Sequence, residues 1–153
     1  MSADTDLIKL YSDRILALAT QIPHTARLDA PLATVKKRAP LCGSNVTVDV
    51  SVTHGRISSF GQDVKACALG QAAAAVTGGA VVGCTLDDVV RARDELRSML
   101  TSGGAVPAAP FDGFEVLTPA AHYTNRHASI LLSIEATAEA MEQALQAACA
   151  RSV

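Results

Sequence analysis

The stretch Asn45 to Thr53, "NVTVDVSVT", alternates apolar and polar residues without interruption, and no other feature restricts the fold as tightly. Successive side chains on a strand point to opposite faces of a sheet, so Val46, Val48 and Val50 share one face and require an apolar layer against it. His54-Gly55 follows, where glycine supplies turn freedom, and Ile57 to Phe60 begins a return strand, which predicts a hairpin. A further short strand is expected near Leu32 to Lys37. The basic run Lys36-Lys37-Arg38 beside it reads as a solvated strand edge, since charges blunt exposed edges.

The layer to cover that face is helical. Leu7, Leu10, Tyr11, Ile15 and Leu18 recur at three- and four-residue steps and predict a leading amphipathic helix over residues 5–20, ended by Pro23. After Phe60 the chain reads as helix throughout: "ACALGQAAAAVT" at 66–77 is rich in good helix formers and is expected to stop at Gly78-Gly79. Thr85 with Asp88 three residues on forms a capping-box signature, followed by a stripe of Leu86, Val89, Val90, Leu96 and Leu100 up to Gly103-Gly104. A loop with Pro107 and Pro110 leads through an irregular segment to a last helix over about 125–150, with Ile130, Ile134, Ala138, Met141 and Leu145 on its buried side. This order predicts an α+β fold, a small antiparallel sheet of about three strands with helices on one face, as a single domain over residues 1–153. At that length a core forms without metal or disulfide staples.

Charge and hydropathy narrow the function classes. A net charge of −2 gives no field strong enough to gather nucleic acid or anionic lipid. The first twenty residues mix acidic with apolar side chains and do not read as a secretory signal, and glycines break the Ala/Val-rich stretch near 72–84, so no membrane span is expected and the protein is expected to be cytoplasmic. In a reducing compartment four cysteines point to buried thiols, metal ligands or reactive sulfur rather than to disulfides.

The cysteines divide into two pairs. Cys84 before the Thr85 cap occupies a position that asks only for an apolar group, and Cys149 on the last helix reads as core packing or a frayed terminus. Cys42, in a Pro-Leu-Cys-Gly turn entering a strand, and Cys67, at the start of a helix, lie at junctions where a thiol stays reachable. Unpaired amides at a helix start favour the thiolate, the form that binds metal or attacks sulfur. The 25 positions between them match no local zinc motif. His24, His54 and His122 read as loop residues. His127 leans toward the packed side of the last helix, where a lone imidazole is more often a hydrogen-bonded core residue than a ligand.

Joined together, "PLCGSNVTVDVSVTHGRISSFGQDVKACALGQAAAAVTG" and "RHASILLSIEATAEAMEQAL" resemble the IscU/SufU/NifU N-terminal family of iron–sulfur cluster scaffolds. Family members carry a Pro-x-Cys-Gly-Asp turn, a strand hairpin, a second Cys opening a small-residue helix, and a third Cys in the last helix, next to a His in the IscU branch. The resemblance implies a scaffold or carrier that binds an iron–sulfur cluster of the 2Fe-2S type, iron, or zinc through Cys42, Cys67 and His127, with Ser44 as an additional contact. It also implies a cysteine desulfurase and acceptor apo-proteins as partners, and a homodimer as one assembly. Two positions depart from the pattern: Ser44 stands in place of the Asp, and Ala128 in place of the third Cys. The loop "LTPAAHYTNRH" also lacks the Leu-Pro-Pro-Val-Lys stretch that chaperones recognise in the IscU branch. Two alternatives therefore stand beside the scaffold reading: SufU-type sulfur transfer with Cys42 or Cys67 as acceptor, and a paralogue that kept the fold as an interaction module.

Overall fold

The structure, a computed structural model, describes residues 12–151; Leu7, Leu10 and Tyr11 of the expected leading helix lie outside them. The remainder of that helix is α1, Asp13–Ala19, capped by the Ser12 hydroxyl and buried through Ile15. Three strands follow, β1 (Ala33–Arg38), β2 (Asn45–Thr53) and β3 (Arg56–Lys65), paired antiparallel in the order β1-β2-β3. The helices are α2 (Ala68–Ala80), α3 (Leu86–Ser102) and α4 (His127–Arg151), with a 3-10 segment at Asp112–His122 packed between loop and core.

Alternation sets the register. Val35 opposes Val48, and Val48 opposes Gln62, so Val35, Val46, Val48 and Val50 form one apolar face. Helix α4 lies along β1 and β2 on that face, α2 packs beside it, and α3 packs on the far side of α4. Ile130, Ile134, Ala138 and Met141 of α4 are buried as their spacing predicts. Truncating one of the large ones, such as Ile134, to Ala would cost about 2–5 kcal/mol. Thr85 and Asp88 make the expected reciprocal capping box, and Gly103 ends α3 in the left-handed region at φ 67°.

Two expectations are corrected. Strand β3 runs on to Lys65 instead of giving way to helix after Phe60, because Gly61, Gln62 and Asp63 continue the ladder opposite Asp49, Val48 and Thr47. Helix α2 starts later than expected and passes through Gly78 and Gly79. A Cβ at Gly78 would lie 2.6 Å from Gln62 Nε2 and 3.1 Å from Pro23 Cγ, so this glycine permits close packing rather than ending the helix.

The opposite face of the sheet is partly closed by the loop after α1. The Asp49 carboxylate, fully buried, accepts from Arg27 Nε at 2.6 Å, Arg27 Nη2 at 3.1 Å, the Leu28 amide at 3.0 Å and the Thr34 hydroxyl at 2.6 Å. Beyond that loop the sheet end carrying Lys36, Arg38 and Lys65 is open. Among the described residues no helix is long and apolar enough to cross a membrane.

Candidate functional site

The β1–β2 connection brings the first thiol to the end of the sheet. The Ala39 amide donates to the Ser44 carbonyl at 2.8 Å, and the Gly43 amide to the Ala39 carbonyl at 3.1 Å, with Gly43 at φ 74°. A residue with a Cβ would resist that conformation, so Gly43 is what lets the turn close and hold Cys42 in solvent while Ser44 points inward. Cys42 is exposed and Ser44 is 5% exposed.

The second thiol arrives from the far edge. Strand β3 ends at Lys65 and Cys67 is the N-cap residue of α2, half-buried, with its side chain not spent on capping. From the covering layer, α4 contributes Ser129, 1% exposed.

These four side chains form one hydrogen-bonded chain. Cys42 Sγ lies 3.1 Å from Ser44 Oγ, the Ser129 hydroxyl donates to Ser44 Oγ at 3.1 Å, and Cys67 Sγ lies 3.6 Å from Ser129 Oγ. With Cys42 protonated its S–H donates to Ser44. Once Cys42 ionises, the Ser44 hydroxyl can turn to donate to it while still accepting from Ser129, and Ser129 can accept from the Cys67 thiol. The Ser44 hydroxyl is the main cause holding the Cys42 thiol below its ordinary range, with the Ser44 amide and Ser129 hydroxyl adding to it against a smaller upward push from burial. The arrangement thus suits one thiolate at the rim and a second sulfur behind it, both usable as soft donors to iron or zinc.

The structure brings Cys42, Ser44 and Cys67 together and leaves His127 elsewhere. His127 is 8% exposed, and its Nε2 lies 3.0 Å from the Ala120 carbonyl and 3.2 Å from the Ala121 carbonyl. Two positions along a helix is about 200° of rotation, so with Ser129 facing the thiols His127 is turned from them. Among the described residues no three His, Cys, Asp or Glu side chains are grouped to hold a metal ion, so the three-ligand set of Cys42, Cys67 and His127 is not assembled in this arrangement. Ala128, in the place of the family's third Cys, is exposed.

Cys84 takes the buried position expected of it, whereas Cys149 does not pack in the core. Cys84 is buried, donates to the Ala80 carbonyl at 3.2 Å, and is pushed up by burial and then by Asp88. Cys149 is exposed near the end of α4. His24, His54 and His122 are exposed, the first two at positive φ of 57° and 53°.

Sequence reasoning missed Ser129. Its signal was present: Ser129, Ser133 and Thr137 recur every four residues, a hydroxyl stripe beside the apolar one, and all three are buried. Ser133 meets Thr77 of α2 at 2.9 Å, so the stripe marks where α2 and α4 approach.

Comparisons with known proteins bear on this geometry. No protein-family model matches the chain, and no curated protein does. Among solved structures, the N-terminal part of a nitrogen-fixing NifU-like protein from Brucella abortus is 35% identical, with a TM-score of 0.89 over 92% of this chain and 98% of that one. A candidate iron–sulfur cluster assembly scaffold protein for the SUF system from Fervidobacterium islandicum AW-1 shares the fold, with a TM-score of 0.77 at 17% identity over 88% of this chain and 98% of that one. The fold, the placement of both thiols at one end of its sheet and the identity to the Brucella protein lead to one assignment: the chain belongs to the NifU-like N-terminal family, to which the IscU and SufU scaffolds are related.

Proposed function

We propose that the protein is a scaffold or carrier in iron–sulfur cluster assembly, with Cys42 and Cys67 as its metal donors. The observation that carries this reading is the convergence of two thiols from distant elements, bridged by Ser44 and Ser129, at a corner open to solvent on the Cys42 side. A 2Fe-2S cluster takes four donors, commonly thiolates. Two sulfurs from this chain supply half of that set. The other positions are then filled from outside, by a second copy of the chain or by the acceptor protein, which fits a site built for handing its cargo on. Iron alone, or zinc with water in the open positions, suits the same pair. Ser44 lies beside Cys42 as a hydroxyl contact. For His127 to serve as a third donor, its ring would have to reach the thiol corner through Nδ1, or through Nε2 after leaving both carbonyls.

Anaerobic incubation with ferrous iron and sulfide is expected to give a visible charge-transfer absorbance that Cys42→Ser and Cys67→Ser each abolish. A colourless product with neither iron nor zinc by metal analysis overturns the reading.

The exposure of Cys42 and its lowered thiol favour a second role at the same site, acceptance of sulfur from a cysteine desulfurase. The Cys42 thiolate attacks the terminal sulfur of a donor persulfide. A new S–S bond forms on Cys42, the donor's S–S bond breaks, and the donor cysteine leaves as its thiolate. Mass spectrometry that finds no added sulfur on Cys42 after donor treatment removes this role.

A further inference from the structure

Strand β1 is an edge of the sheet, and the ladder fixes which of its main-chain groups β2 leaves free. The Ala39 amide donates to the Ser44 carbonyl at 2.8 Å, and Ala39 and Ser44 continue the register in which Val35 opposes Val48. Bonded and unbonded residues alternate in an antiparallel pair, so Ala33, Val35 and Lys37 turn their amides and carbonyls to β2. Thr34, Lys36 and Arg38 turn theirs outward. The other edge obeys the same count: Gln62 of β3 faces away from β2, and its amide donates to the His24 carbonyl at 2.9 Å. The two edges differ in cover. The loop after α1 lies against β3, whereas among the described residues no hydrogen bond reaches the outward main-chain groups of Thr34, Lys36 and Arg38.

Beside this free edge runs a cleft of about 300 Å³, lined by Lys37, by Arg93 and Arg97 of α3 and by Glu135, Glu139 and Glu142 of α4. Lys37 reaches Glu139 at 3.1 Å and Arg97 reaches Glu135 at 2.7 Å, so ion pairs brace the cleft and no apolar plug fills it. The side chains of a strand added to β1 would alternate between this cleft and the outer face of the sheet, away from α4. On that outer face stand Lys36 and Arg38, exposed and without an ion pair among the described residues.

These two cations decide the occupant. A second copy paired edge to edge would set its own Lys36 and Arg38 against them, and like charges across a strand pair destabilise it. Carboxylates in the same positions would stabilise it.

We propose that the free edge of β1 binds an extended acidic segment of another protein, which joins the sheet as a fourth, antiparallel strand. Its carboxylates lie opposite Lys36 and Arg38, and its small polar side chains lie over the cleft. Main-chain bonds to Thr34, Lys36 and Arg38 supply the hold, and the two cations select the sequence. From Thr34 to Arg38 the edge spans about 13 Å, room for a segment of about five residues. The site uses neither thiol and goes beyond the cluster-assembly reading.

The probe is a fluorescent peptide of about seven residues in which threonine and glutamate alternate, the length that covers this edge with one residue to spare at each end. Fluorescence anisotropy is expected to show saturable binding to the wild type. Lysines in place of the glutamates, or Lys36→Glu/Arg38→Glu in the protein, are each expected to weaken binding about ten-fold, and the two changes together to restore it. N-methylation of the glutamates, whose amides face β1, is expected to abolish binding, while N-methylation of the threonines, whose amides face solvent, changes it less than about two-fold. Hydrogen exchange at the Lys36 and Arg38 amides is expected to slow when the peptide binds. No saturable binding, equal loss from either set of N-methyl groups, or unchanged exchange at Lys36 overturns the site. Self-association in sedimentation equilibrium that blocks the peptide overturns it in favour of a second copy.

Discussion

Two polar clusters hang from opposite faces of the same sheet, and they differ in how much capacity each leaves unused. Around Asp49 every oxygen is engaged: four donors converge on a buried carboxylate, and the loop carrying Arg27 and Leu28 is bound to the sheet by it. At the thiol corner two hydroxyls join two sulfurs in a chain whose outer end, Cys42, faces water. The first cluster is saturated and can only hold structure. The second retains open valence at a soft donor, which is what chemistry requires.

The contrast is broken most forcefully at Asp49. Asp49→Asn is expected to lower unfolding free energy by about 2–3 kcal/mol in denaturant titrations, the scale of hydrogen bonds to a charged group, while leaving the alkylation rate of Cys42 unchanged. Burial is the largest single influence on this carboxyl and pushes it up, but the hydrogen bonds from Arg27, Thr34 and the Leu28 amide together, with the nearby guanidinium charge, hold it below the ordinary carboxylate range. A depressed folded value means stability that is present at neutral pH and lost as pH falls below about 4, toward the folded value. Thermal melts of the wild type should show that acid loss, and melts of Asp49→Asn should show less of it. A variant that melts like the wild type at every pH would mean the cluster is decorative.

The other side of the contrast is sharpened at Ser129. Replacing it by Cys puts a third sulfur between Ser44 and Cys67, and zinc affinity in competition with a chromophoric chelator should rise roughly ten-fold. Ser129→Ala removes one link of the chain, so the pH at which Cys42 half-reacts with iodoacetamide should move upward. Its rate near neutrality should fall about two- to ten-fold, the scale of one hydrogen bond. An unchanged pH profile would show that Ser44 alone governs the thiol.

Much of the fold was legible because it rests on periodicity. The alternation at Val46, Val48 and Val50 and the capping box at Thr85 and Asp88 each encode a local geometry that packing then accepted. Strand β3 and the glycines of α2 were misread because their roles are tertiary: Gln62 is a strand residue by virtue of its partner Val48, and Gly78 is needed by Gln62 and Pro23. At the site, Cys42, Cys67 and Ser44 could be named from their junctions and from family likeness. His127 shows the limit of likeness. Its helical position alone described a hydrogen-bonded, buried imidazole, and that is its environment, whereas family analogy had aimed it at the thiols. Ser129 went unnoticed because a hydroxyl facing sulfur leaves no mark in sequence until the helix bearing it is docked.

That docking has its own gatekeeper in Gly70. A Cβ there would sit 2.6 Å from Ser129 Oγ and 3.2 Å from the Ser129 carbonyl, so any larger residue would wedge α2 and α4 apart at the level of the sulfurs. The reach between Cys67 and the rest of the corner is therefore calibrated by the absence of one methyl group, and the alanine-rich helix acts as a spacer gauge for the two thiols.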